Sequence, residues 1–227
     1  MYSAKARVQP DTPTPLSVSC RPGEQMLGGG FGANNLFEYA AYIEASHPSG
    51  TTTWIIVASA PSSYFDIEAD VYCVPASISI GVRVVQVSGT SSATAACPQD
   101  TVLLGGGLWG SQPIGMSRPQ GNGWLGASAG ATVGTSIKVY ALCAARHVQP
   151  GKEVIAAFNA RSSAHGYAPG GGDAICPAEQ IAVGGGFEGG DLIVGSQTHG
   201  SSFAGWSVAA GGDADMTVSA VCVLLQT

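Results

Sequence analysis

Trp109 is the residue whose type and setting point most directly to a recognition chemistry. It follows a run of three glycines, and at the same offset in the other two parts of the chain stand Gly32 and Glu188. A surface indole offers an apolar face against which a sugar ring can lie. Gln112, Arg118 and Asn122, close by in sequence, add amide and guanidinium donors suited to sugar hydroxyls. These four are the candidate ligand-binding residues, with Trp109 expected in a loop. The chemistry they imply is binding without catalysis.

Other groups carry less. The triple glycines 28–30, 105–107 and 184–186 lack a following Gly-Lys-Ser/Thr and any helix N-terminus to receive an anion, so a phosphate cradle is disfavoured. A β-bulge or a close backbone approach explains them better. Asp66, Glu68 and Asp70 project three carboxylates from one face of one strand, whereas calcium wants six to eight oxygens from several directions. A solvated sheet face that resists aggregation is the reading, with Asp213 and Asp215 a weaker version. His47, His147, His165 and His199 stand in neither Gly-x-Ser-x-Gly nor His-Glu-x-x-His, and Ser46-His47 reads as a turn. No catalytic residue, metal ligand or cofactor is expected.

The elements that must hold these residues come from a repeat. Cysteine, seven residues and Gly-Gly-Gly recur at Cys20, Cys97 and Cys176; each copy continues to Trp54, Trp124 or Trp206 and closes on Cys73, Cys143 or Cys222. The boundaries fall at 1–75, 76–150 and 151–227, three repeats of a single domain. Only one pairing of the six cysteines respects the repeat while joining the first strand of each copy to its last: Cys20–Cys73, Cys97–Cys143 and Cys176–Cys222. In the chain-entropy model each bridge stabilises by about 4 kcal/mol, which suits a chain with 33 glycines.

Helical periodicity is nowhere sustained, and short runs rich in Val, Ile, Tyr and Thr between Gly and Pro argue for an all-β chain with about five strands per copy. The first strands are expected at 6–9, 82–87 and 153–158, the second at the cysteine and ending on the glycines, and the third at 42–46, 114–117 and 192–196. Turns at His47-Pro48, Arg118-Pro119 and Thr198-His199-Gly200 then lead to the tryptophan strand, whose indoles belong in the core. In the fifth strand Ile67, Ala69, Val71 and Cys73 share one face, as do Ile137, Val139, Ala141 and Cys143, and Met216, Val218, Ala220 and Cys222. Outward positions differ among copies, so the scaffold is threefold while a surface site built on it is not.

Composition sets the compartment and partners. Charged residues make up 11% of the chain, with nine Lys plus Arg against fifteen Asp plus Glu and a net charge of -6. Nothing here forms the basic cluster that nucleic acid requires, and no apolar run is long enough to span a membrane. No basic stretch leading into an apolar run opens the chain, as expected of a mature secreted form. Cysteines used in repeat-matched pairs suit an oxidising, extracellular location.

The succession of Cys-Pro, Gly-Gly-Gly, Trp and an apolar strand closing on cysteine (Val-x-Ala-x-Cys in the second and third copies) resembles secreted repeat proteins of actinobacteria and related Gram-positive bacteria. The first copy departs by reading Cys20-Arg21-Pro22. That resemblance brings no assigned activity. The triplication also resembles the β-prism of the vitelline membrane outer layer protein and the jacalin-type lectins; to the glycine loops by which the latter let a sugar approach the backbone, the likeness is one of loop composition only. It implies a pseudo-threefold prism of three antiparallel sheets with one disulfide per repeat; a β-trefoil or three small β domains in a row are the alternatives. The leading functional expectation is a secreted, non-catalytic protein recognising carbohydrate or another surface polymer. A structural or assembly module of a cell envelope, extracellular fibre or virion, partnered by its own copies, is second, and a hydrolase third.

Overall fold

The computed structural model describes residues 1–34, 42–60, 64–78, 80–130, 135–145, 148–151, 154–160, 170–189, 192–199, 203–211 and 214–225. The first repeat forms β1 (Tyr2–Val8), β2 (Thr14–Ser19), β3 (Glu24–Asn34), β4 (Tyr42–Ser49), β5 (Thr53–Ser59) and β6 (Phe65–Pro75). The second forms β7 (Val82–Thr90), β8 (Ser92–Ala96), β9 (Val102–Gly110), β10 (Ile114–Pro119), β11 (Gly123–Ser128) and β12 (Ser136–Ala144). In the third, the first strand is split into β13 (Val148–Pro150) and β14 (Val154–Ala160). It is followed by β15 (Gly170–Ile175), β16 (Ile181–Glu188), β17 (Leu192–His199), β18 (Gly205–Gly211) and β19 (Ala214–Leu225).

Each repeat thus has one strand more than its sequence suggests. The additional strands β2, β8 and β15 end just before the first cysteine, and the glycines lie within β3, β9 and β16 instead of closing the cysteine strand. Their segments, such as Ser92–Ala96 (SATAA), are too short of apolar residues to announce themselves. His47-Pro48 and Arg118-Pro119 are strand residues of β4 and β10, not turns. Glu153, Gly200 and Asp213 lie outside the described residues.

The strands are dealt between repeats in a cycle. The first sheet runs β1-β6-β3-β17-β18-β15, half from the first repeat and half from the third. The remaining thirteen strands are continuous in hydrogen bonding only through the single Thr90–Ser92 pair of β7 and β8, so they bend into two further sheets. The second is β7-β12-β9-β4-β5-β2, and the third is β13 and β14 with β19-β16-β10-β11-β8. Seams between repeats are short antiparallel pairings, β3 with β17, β9 with β4 and β16 with β10. Three independent domains are thereby set aside, and three antiparallel sheets built from exchanged halves form the pseudo-threefold prism. Outer strands of neighbouring sheets meet at the corners, β1 against β2, β7 against β8 and β14 against β15, so the edges that would invite strand addition are covered.

Packing at the axis explains the repeated residues. The bridges Cys20–Cys73, Cys97–Cys143 and Cys176–Cys222 close loops of 53, 46 and 46 residues, and no cysteine is free. Trp54, Trp124 and Trp206 are buried, and each indole N–H donates to a serine hydroxyl of its own repeat: Ser46 at 3.1 Å, Ser117 at 3.0 Å and Ser196 at 2.9 Å. A Cβ on the middle glycine of each triplet, Gly29, Gly106 or Gly185, would collide with one of these rings. A Cβ on the third, Gly30, Gly107 or Gly186, would collide with the carbonyl of Ser196, Ser46 or Ser117 across the seam. The ladder of β3 with β6 shifts register between Met26 and Gly28, and that of β16 with β19 between Ala182 and Gly184. Bulge and close approach are therefore both realised.

The inward faces of the last strands follow the alternation. Ile67, Ala69, Val71, Ile137, Val139, Ala141, Cys143, Met216, Val218, Ala220 and Cys222 are buried, while Cys73 is half-buried.

Candidate functional site

The three outer faces carry different chemistry at equivalent positions. On the first face the acidic stripe of β6 is answered across the ladder by β1, where Ser3 pairs with Asp70, Lys5 with Glu68 and Arg7 with Asp66. Ion pairs of 3.3 Å (Lys5–Glu68) and 3.1 Å (Arg7–Asp66) follow, and the Ser3 hydroxyl donates to Asp70. This is a cross-strand charge ladder, but the stripe is less solvated than its sequence suggests: Asp66 and Glu68 are half-buried and Asp70 is buried. On the third face Arg118 Nε lies 2.8 Å from Glu188 Oε2, joining the second repeat to the third.

The second face is aromatic. Trp109 lies on β9, not in a loop, and is 37% exposed. Its ladder partners are Lys138 on β12 and Ala45 on β4. The Lys138 ammonium stands 5.2 Å from the indole centroid, a cation–π contact of about 0.5–1 kcal/mol at an exposed site. Ala45, opposite the indole, is fully buried. One row along, His47 and Tyr140 stack with centroids 4.3 Å apart and planes 9° from parallel. Gly107 makes this stack possible: it pairs with Tyr140, and its absent Cβ would sit 3.0 Å from the His47 Cα.

Burial sets the charge states here. Desolvation lowers the His47 pKa, with the Lys138 charge acting in the same direction, while Nδ1, 2.9 Å from the Pro48 carbonyl, works against both. Because a carbonyl only accepts, Nδ1 carries the proton of the neutral ring. Burial likewise raises the Tyr140 phenol, which stays protonated. The face thus presents an indole, a phenol and one cation, with the neutral imidazole of His47 buried beside the phenol.

No protein-family model and no curated protein matches this chain. The site must therefore be read from its own geometry. The four residues expected to cooperate do not converge. Gln112 lies exposed in the bend between β9 and β10, on the Trp109 side. Asn122 is bound to the opposite end of β9, accepting from the Leu103 N–H at 2.9 Å and donating to the Thr101 carbonyl at 2.8 Å. Six residues separate Leu103 from Trp109, roughly 20 Å along a strand. Arg118 is committed to Glu188 on another face. Trp109 and Gln112 stay as candidates, whereas Asn122 and Arg118 hold the scaffold.

The sequence does not single out Lys138, Tyr140 or His47 as neighbours of Trp109 on this face. Lys138 and Tyr140 were legible as outward-facing, but the seam that brings His47 beside them pairs β4 with β9 across repeats and leaves no local signal. Of the other histidines, His147 and His165 lie outside the described residues, and only the backbone of His199 is described.

Proposed function

We propose that this chain is a secreted, non-catalytic protein that binds extracellular carbohydrate through the outer face of its second sheet. The observation that carries the reading is the exposed Trp109 indole on a rigid central strand, flanked by Lys138. A pyranose presents a C–H face to stack on such a ring and hydroxyls to meet polar groups beside it. Lys138 supplies one such group, and Gln112 stands exposed three positions beyond Trp109 in the bend after β9. Three disulfides fit an oxidising extracellular setting, and no helix among the described residues is long and apolar enough to cross a membrane. His47 is engaged by Tyr140 and the Pro48 carbonyl, an arrangement that serves packing better than proton transfer. The covered corners weigh against growth by strand addition, the simplest route to the alternative assembly role.

The test is retention of the whole chain on chitin, cellulose and bacterial cell-wall sacculi. Retention of the native chain, lost in a folded Trp109→Ala variant, supports the proposal. Concentration-dependent oligomers with retention on none of these matrices would favour an assembly module instead.

A further inference from the structure

One pair of equivalent positions is filled by rings on one face of the prism and left open on another. Counting back one residue from the last cysteine of each repeat gives Tyr72, Leu142 and Val221; counting back three from each repeated tryptophan gives Thr51, Gly121 and Phe203. On the first face Tyr72 and Phe203 meet edge to face with centroids 5.3 Å apart, and the Tyr72 hydroxyl accepts from the Thr198 N–H at 3.0 Å. On the third face the corresponding residues are Val221 and Gly121, and Thr198 is replaced by Pro119, which has no N–H to offer.

The backbone is comparable at this point, since Gly121 and Phe203 share left-handed φ values of 56° and 53°. The hairpin is shorter, however, with seven residues from Ser117 to Trp124 against ten from Ser196 to Trp206. Two missing rings and a shorter hairpin leave a cleft of about 540 Å³ between the β10–β11 turn of the second repeat and the split first strand of the third. That volume lies within the ordinary range for small-molecule sites.

The lining fixes the ligand chemistry. Val102, Pro119, Pro150 and Val221 make the walls apolar, while Gln99 and Asp100 stand exposed at the mouth. The other polar groups are already used: Asn122 binds the backbone at Leu103 and Thr101, and the Thr101 hydroxyl donates to the Pro98 carbonyl at 2.8 Å. Asp100 forms no ion pair among the described residues. We propose that this cleft binds a small molecule that combines an aromatic ring with a protonated amine. The ring takes the space that Tyr72 and Phe203 fill on the first face, and the ammonium meets Asp100 at the mouth. This site is separate from the aromatic face and does not depend on the carbohydrate reading.

Calorimetric titration of the whole chain with tyramine, p-cresol and propylamine tests it. Tyramine is expected to bind saturably at millimolar concentrations or below, p-cresol roughly ten-fold more weakly, and propylamine not measurably. Gly121→Phe combined with Val221→Tyr, which installs the ring pair of the first face, should abolish tyramine binding. Asp100→Asn changes an exposed side chain and keeps the fold; it should reduce tyramine to the affinity of p-cresol. Trp109→Ala should leave tyramine binding unchanged. No saturable tyramine binding, or undiminished binding in Asp100→Asn, would overturn the proposal.

Discussion

Gly106 lies directly beneath the indole of Trp124: a Cβ at Gly106 would come within 2.6 Å of Trp124 Cδ2 and would overlap the Tyr140 carbonyl. The constraint is steric. Gly106 is not among the residues with positive φ, so the left-handed conformation that would also demand glycine plays no part. Adding even a methyl group forces the ring or the β9–β12 ladder to move. Gly106→Ala should cost about 1–3 kcal/mol and Gly106→Val more, read from urea denaturation midpoints. Trp124→Phe beside Gly106→Ala should be less damaging than the sum of the two, because the smaller ring vacates space. An unchanged midpoint in Gly106→Ala would sink this account.

The bridges hold sheets that are built from two repeats each. Cys97–Cys143 ties the connection between β8 and β9 to the end of β12, and its removal by paired Ala substitutions should cost about 2–5 kcal/mol, as for other native bridges. Peptide mapping without reductant should recover three intra-repeat bridges. A bridge between repeats would contradict both the pairing and the repeat boundaries.

His47 makes stability pH-dependent. Its folded pKa is depressed, chiefly by desolvation, so below its unfolded value of about 6.5 the unfolded chain binds more protons than the folded one. Stability contributed by the neutral ring is present above pH 6.5 and is lost as pH falls through the lowered folded value. Denaturation midpoints should therefore drop as pH falls below about 6.5, and His47→Phe, which keeps a ring on Tyr140, should flatten that part of the profile. An identical slope in wild type and variant would assign the effect to other groups.

Trp109 should behave as a surface residue energetically. Losing its cover over Ala45 and the Lys138 contact should cost about 1 kcal/mol in Trp109→Ala, well below the several kcal/mol expected of a buried tryptophan. Global unfolding of this variant would place the ring in the core.

What the sequence disclosed and what it hid follow from where the information lies. Cysteine spacing and two-residue alternation are local, so the bridges, the repeat and the buried faces of β6, β12 and β19 were legible from residues such as Ile137, Val139 and Ala141. The exchange of half-sheets is not local: the pairing of Ala45 with Trp109 joins different repeats and leaves no pattern within either. Asn122 illustrates the consequence, because closeness to Trp109 in sequence became separation along a strand. The cleft did leave a signal, in the replacement of Tyr72 and Phe203 by Val221 and Gly121 at matched offsets. Its meaning required knowing that those two positions face one another.

Asp70 provides a test of the charge ladder, since it occupies the position held by Tyr140 and Ser219 on the other faces and is the most buried of its three carboxylates. Burial raises its pKa, the Ser3 hydroxyl opposes that rise, and Glu68 adds to it. The folded chain therefore holds its proton to higher pH than the unfolded chain, whose aspartate titrates near 3.9. Stability associated with the protonated group is complete below about pH 3.9 and is lost as pH rises through the folded value. Asp70→Asn keeps an oxygen to accept from Ser3 but removes the buried charge, so it should raise the melting temperature at pH 7 and leave it nearly unchanged at pH 3. Ser3→Ala should do the reverse, weakening the fold more at pH 7, where the carboxylate loses its donor, than at pH 3. If Asp70→Asn instead destabilises at pH 7, attraction from Lys5 outweighs desolvation at this position.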